Sequence, residues 1–439
     1  MTVFDSVVRS RRVVTARGVA AASVGVVGGR IEVVDAYSAD LPAREVTDLG
    51  DVALLPGAVD LGTGVHAAGR DLPESYRAVG ESALRGGVTC VVASPAPARP
   101  ALVCADALRA HQRAAAGAAV SVLFLGGVTR DTSPLDLADL QAAGAVAFSC
   151  SLSDGGAPDL SALSDARLRK AMAELAALDS VLLVHAEDAA ELGTPPVAAE
   201  HRPPRAERRG LERVIAAARV VGARTHVGPF TAAECAALLA AAGSVGVSLS
   251  AHTCPHYLCL PAEALEPGSP AHACRPPVRS EANRKALWSA LLAPDPAITT
   301  VGSGHLPAHG LYTLEWSLTA LWTAAHRRGR GLADLVRWTS RGPADLLGLG
   351  GKGRIAPGHD ADLVAFDPDA RVTVPGTDPS PYAGRVLRGR VERVWVLGHT
   401  RAPRSAGPPP PEEAGETREP GRARARGETS GRPHRDTSV

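Results

Sequence analysis

The sequence predicts an α/β protein, a (β/α)8 TIM barrel with a small composite β-sandwich domain made from its N- and C-terminal segments. Three observations lead there. Residues 1–52 carry β-branched runs parted by glycine turns, Val7-Val8, Val13-Val14, Val24-Gly25-Val26-Val27 and Ile31-Glu32-Val33-Val34, which is the pattern of short strands. From Ala53 onward, apolar runs alternate with Ala/Leu/Arg-rich helical stretches, the βα alternation that builds a parallel sheet. After Gly350-Gly351 strand signals return, at 362–366, 371–374 and 391–397.

Eight apolar runs supply the barrel strands, at 53–59, 88–92, 120–124, 145–148, 181–184, 224–227, 245–249 and 298–301. Eight such units over roughly 300 residues suit a closed barrel better than an open doubly wound sheet. The barrel is therefore expected over 53–351, and a composite β domain over 1–52 plus 352–400. The stretch 401–439 holds Pro408-Pro409-Pro410-Pro411, almost no large apolar residues and a mixture of Arg and Glu. It is expected to be a disordered tail, since it has too little apolar surface to order itself.

Composition excludes several function classes. With 47 basic and 46 acidic side chains in 439 residues, the chain lacks the basic excess of a nucleic-acid binder. No apolar stretch approaches the roughly 20 residues that span a bilayer, and Met1-Thr2-Val3-Phe4-Asp5 lacks the basic n-region and apolar h-region of a secretory signal. A cytoplasmic location is expected. The seven cysteines are odd in number and contain no CxxC pair, which argues against a disulfide framework and a zinc ribbon. Only three basic residues are lysines, Lys170, Lys285 and Lys352.

A series of motifs falls in order along the chain: Leu55-Pro56-Gly57-Ala58-Val59-Asp60, Gly86-Gly87-Val88-Thr89, Val184-His185-Ala186-Glu187 and Thr253-Cys254-Pro255-His256-Tyr257-Leu258. Pro276-Pro277-Val278-Arg279 with Glu281-Ala282-Asn283-Arg284 follows, then Lys352-Gly353-Arg354-Ile355-Ala356-Pro357-Gly358. Over residues 1–400 the chain resembles the cyclic amidohydrolases of the amidohydrolase superfamily, relatives of the dihydroorotases and hydantoinases. Ser380-Pro381-Tyr382-Ala383-Gly384-Arg385 is most similar to the allantoinases among them. The resemblance implies opening of a cyclic amide by a hydroxide activated between two metal ions, with an aspartate moving the proton. It also implies six ligands: a His-x-His pair, a carboxylated lysine, two further histidines and an aspartate.

Carried over by position, five of these six are missing. The His-x-His positions hold Gly62 and Gly64, the lysine position Ser149, the second single-histidine position Pro229 and the aspartate position Gly304; His185 alone remains. A register slip that would recruit His66 is opposed by Pro56-Gly57 and Gly69, which keep the family spacing on either side. None of the three lysines substitutes, and a zinc site needs three protein ligands and an open position.

A rebuilt site would have to use His66, His185, His226 and His305. Alternation along a strand has period two, so His226, three residues before Pro229, and His305, one residue after Gly304, are expected to face away from the old site. Other residues expected to line the cleft are Cys254, His256, Arg279 and Asn283, the last two alternatively serving to tie down a loop. Cys254 and His256 form no catalytic pair, since no third group orients a base.

These losses predict a folded protein without dinuclear hydrolysis, no metal cofactor, and a binding or assembly role. A small cyclic amide or ureide is the ligand implied by the resemblance, and a homo-oligomer or a complex with an active paralogue the implied assembly. The alternative is an active allantoinase-type hydrolase with a non-standard zinc site.

Overall fold

A computed structural model describes residues 3–153, 160–194 and 198–401. Of the segment expected to be a tail, only Arg401 is described; the rest lies outside the described residues. No described helix is long and apolar enough to cross a membrane.

The N-terminal segment forms β1 (Phe4–Thr15), β2 (Gly18–Val27), β3 (Arg30–Ala36), β4 (Ala43–Asp48) and β5 (Ala53–Pro56). The barrel strands are β6 (Ala58–Thr63), β7 (Val88–Ala93), β8 (Ser121–Gly127), β9 (Ala145–Ser151), β10 (Leu182–His185), β11 (Thr225–Val227), β12 (Leu249–Thr253) and β13 (Ile298–Val301). The C-terminal segment adds β14 (Leu363–Thr373), β15 (Val386–Val396) and β16 (His399–Arg401). One sheet runs β16-β15-β14-β5-β1-β2-β3 with β4 paired to β1, so both ends of the chain share it. The other runs β6 to β13 in sequence order, all parallel.

Two strands differ from the sequence reading. The run 53–59 is divided at Gly57: Ala53–Pro56 pairs with β14 in the outer sheet, and the barrel strand begins at Ala58. A Cβ on Gly57 would lie 2.0 Å from Thr89 Oγ1, so the changeover between sheets needs glycine's close approach. The seventh barrel strand is Leu249–Thr253, because the helix Ala236–Ser244 and the turn at Gly246, with φ of +83°, consume the residues before it.

The barrel's inner face is filled near its base by Val59, Leu61, Cys90, Val92, Leu125, Ala147, Val181 and Leu183, which pack with Ala344 and Leu347 from the segment after β13. Burial of such side chains contributes roughly 1.5–3 kcal/mol each for the larger ones. The seam between β6 and β13 is bridged by side chains. The buried Asp60 carboxylate accepts from the Ser303 N–H, from Ser303 Oγ at 2.6 Å and from Thr63 Oγ1 at 2.7 Å. Nearby, the Gly64 N–H donates to His305 O at 2.7 Å. Burial pushes the Asp60 carboxyl up, opposed by the Ser303 and Thr63 hydrogen bonds.

Replacing Asp60 by Ala strands three donors in a buried seam, and a network of this kind is expected to be worth about 3 kcal/mol. A urea titration of Asp60→Ala measures this loss; a change within about 0.5 kcal/mol contradicts the seam's role.

Candidate functional site

A cavity of about 190 Å³ opens at the C-terminal ends of the barrel strands, where barrel active sites stand. His185 enters from the end of β10. Its Nε2 donates to Glu187 Oε2 at 2.9 Å, and the fully buried Glu187 also takes the Arg202 guanidinium. A carboxylate only accepts, so Nε2 carries a proton in this contact. The helix Pro204–Val221 packs directly on the loop after His185: a Cβ on Gly210 would fall 1.9 Å from Ala186 O.

The cavity wall opposite comes from β12 and the segment after it. His252, Cys254 and His256 line it, with Gly304 and His305 from the segment following β13. His252 stacks on His226, ring centroids 5.1 Å apart and planes 11° apart. His226 lies behind that ring, its Nδ1 2.7 Å from Ser250 Oγ and its Nε2 3.5 Å from Thr300 Oγ1. His305 Nδ1 accepts from the Thr313 N–H at 3.1 Å and the Leu314 N–H at 3.4 Å.

The expectation that His226 and His305 face away is thus corrected. His226 packs against a cavity-lining ring and His305 lines the cavity itself. The physical reason is that β11 ends at Val227 and β13 at Val301, so Pro229, Gly304 and His305 lie beyond the ladders where period two holds.

Of the remaining sequence-derived residues, Gly62, Ser149 and Pro229 line the cavity; Gly64 and His66 do not. Arg279 and Asn283 are not cleft residues but loop anchors. Arg279 donates to Arg202 O and to Glu207 Oε1, each at 2.6 Å, and Asn283 exchanges hydrogen bonds with Thr231 O and the Ala233 N–H. His252 was missed because the strand carrying it was placed at 245–249. The alternation of Ser250 and His252 with Leu249, Ala251 and Thr253 is the signal that would have found it.

Of the three glycines at positions that the resemblance assigns to ligands, Gly304 and Gly64 are tightly enclosed, whereas a Cβ on Gly62 would meet nothing within 4 Å. A Cβ on Gly304 would lie 2.6 Å from His256 Cε1 and 2.9 Å from Cys254 Sγ, and φ there is +66°. A Cβ on Gly64 would lie 2.8 Å from Leu306 Cδ1 and 2.9 Å from His305 O. Beside Pro229, a Cβ on Gly228 would meet the His252 ring at 2.1 Å. These residues do not fit the dinuclear centre that the resemblance implies. Five positions carry no ligating side chain, His226 and His305 spend nitrogens inside the protein, and among the described residues no three His, Cys, Asp or Glu side chains are grouped to hold an ion.

Electrostatically the wall is neutral. Burial lowers His252 to about 4, helped by His185, and lowers His256 and His305 to about 3. Burial, then His252, takes His226 well below its ordinary 6.5. Burial also pushes the Cys254 thiol well up, with Asp60 adding to it, so Cys254 is a thiol rather than a nucleophilic thiolate.

Each of these histidines is neutral when folded and titrates near 6.5 once unfolded. The unfolded chain therefore binds more protons as pH falls, and stability that is complete above about pH 6.5 is lost toward about pH 4. Melting temperatures measured across that range should fall steeply for the wild type and less for His252→Gln/His256→Gln; parallel curves contradict the neutral wall.

Comparisons with known proteins agree with this architecture. Residues 53–401 match the model of the amidohydrolase family. The chain is 36% identical to the allantoinase of Streptomyces avermitilis, over 91% of this chain and 95% of that one. It is 29% identical to the allantoinase of Arabidopsis thaliana, over 89% and 87%. Among solved structures, the L-hydantoinase (dihydropyrimidinase) from Arthrobacter aurescens superposes with a TM-score of 0.82 at 25% identity, over 90% of this chain and 96% of that one. The chain belongs to the amidohydrolase family.

Proposed function

We propose that this member of the family does not open cyclic amides by a metal-activated water, and that its barrel mouth instead holds a ureide-class small molecule without turnover. One observation carries the reading: the space that ligands would need at Gly304 and Gly64 is taken by His256, Cys254 and Leu306. An aspartate at 304 or a histidine at 64 could enter only by displacing buried side chains or backbone. The relatives, an allantoinase and an L-hydantoinase, supply the ligand class. The cavity offers polar partners for such a molecule in His185, Ser149 and His252.

A second reading, retained ring opening at a non-standard zinc site, is favoured by the 36% identity that extends over nearly the whole of the Streptomyces allantoinase. Assembly as a homo-oligomer or with an active paralogue is a further proposal and is compatible with either.

The test pairs chromatographic assay of allantoin and hydantoin, with zinc supplied, against the thermal melt of the protein with each compound. Stabilisation without ring-opened product is expected, because a ligand selective for the native state raises stability by mass action. Turnover clearly above a heat-denatured control, abolished by His185→Ala, replaces the proposal with the second reading.

A further inference from the structure

Outside the cavity lining, Arg284, Arg327, Arg328 and Arg385 gather where the helices Pro255–Cys259, Glu281–Leu291 and Ser317–His326 meet. Arg284 and Trp288 stand one turn apart on the second of these helices. Arg284 Nη1 at 3.1 Å and Trp288 Nε1 at 2.8 Å donate to the same carbonyl, Leu258 O. Arg328, just past the third helix, lays its guanidinium over the Trp288 ring, 4.4 Å from the centroid, and donates from Nη1 to Ala324 O at 2.8 Å. Cys259, next to Leu258, is the point on which the group converges. Burial pushes its thiol up to about 12, and Arg284, Arg328, Arg385 and Arg327 each oppose that rise.

Negative charge is scarce there. Glu281 takes Arg284 through both carboxylate oxygens, each at 2.6 Å, and reaches Lys285 at 3.7 Å, while Glu263 accepts the Glu281 N–H. Among the described residues no carboxylate forms an ion pair with Arg327, Arg328 or Arg385. Burial lowers Arg328, and Arg284 and Arg327 lower it further, so like charges are held together at a cost that an anion would relieve. Arg284 is fixed by Glu281 and the Leu258 carbonyl, and Arg328 by the Trp288 ring and the Ala324 carbonyl. A guanidinium has five N–H donors in a planar fork, so both keep donors to spare. Several guanidinium groups around one spot suit an anion with many oxygens and more than one charge, a phosphoryl group rather than a lone carboxylate. We infer that Arg284, Arg327, Arg328 and Arg385 form a binding site for a multiply charged phosphoryl ligand, separate from the barrel cavity and independent of what that cavity holds.

The probe is inorganic pyrophosphate, titrated by calorimetry into the full chain at low salt, with triglutamate as a carboxylate polyanion. Pyrophosphate should bind, raise the melting temperature, and bind less tightly as salt is raised. Arg327→Gln/Arg385→Gln, both changes at exposed side chains, should weaken it about tenfold or more while the melt of the free protein stays unchanged. ATP, run beside it, tells the sources apart: tighter binding than pyrophosphate supports a nucleotide at this site, equal or weaker binding an inorganic phosphate. No heat and no change in melt at millimolar pyrophosphate overturns the inference. Binding that survives undiminished in the double variant overturns it as well, since the anion is then held elsewhere. Triglutamate binding as tightly as pyrophosphate also overturns it, as a response to charge alone. Should the double variant melt lower than the wild type, Arg327→Gln and Arg385→Gln taken singly decide the matter in the same way.

Discussion

At Gly228 and Gly304 the absent Cβ is the space in which other side chains stand. The His252 ring occupies what a side chain at 228 would need, and His256 with Cys254 occupies what one at 304 would need. Interiors are close-packed, so two sets of atoms cannot share that volume. The remaining features of the barrel mouth depend on this exclusion. The His252 ring is packed against Gly228 and His226, and the His256 ring against Gly304 and Tyr257. Their desolvation holds them neutral, and a neutral wall needs no ion to balance it.

Apart from Arg275 in the cavity lining, the charged groups described around the site stand in the layer behind it. Glu187 with Arg202, Glu207 with Arg279, and Asp60 with the hydroxyls of Ser303 and Thr63 are buried and hydrogen-bonded, Glu187 through Oε2 alone. Removing one partner of such a pair costs on the order of 3–5 kcal/mol, because the other charge is left stranded. The loops after β10, β11 and β13, the last two carrying Pro229 and Gly304, are thereby fixed. Ser303 shows the coupling: its hydroxyl donates to Asp60 and accepts from the His305 N–H, so the seam also sets the loop that carries Gly304.

Much of this fold was legible because period-two runs and turn residues mark parallel strands well. Six of the eight barrel runs lie where the alternation placed them, and the return of strand signals after Gly350 located the strands that join the N-terminal sheet. Failures arose where local pattern is silent about neighbours. Ala53–Val59 reads as one apolar run, and only the contact between Gly57 and Thr89 divides it between two sheets. Val245–Leu249 has strand composition but is consumed by a helix end and the Gly246 turn, which hid His252. The positions of Gly62, Gly64, Ser149, Pro229 and Gly304 came from the resemblance and needed no structure. That His226 lies behind His252, and that Arg279 and Asn283 tie down loops, depends on contacts between residues far apart in sequence.

The central claim is that the mouth of this barrel is completed by protein atoms rather than by an ion. Elemental analysis of protein purified without a chelator or an affinity tag tests it most directly, read beside the melt of the same sample before and after zinc is added. The account predicts metal far below one equivalent per chain and an unchanged, cooperative melt. Zinc near stoichiometric, retained on dialysis and raising the melting temperature, would contradict it.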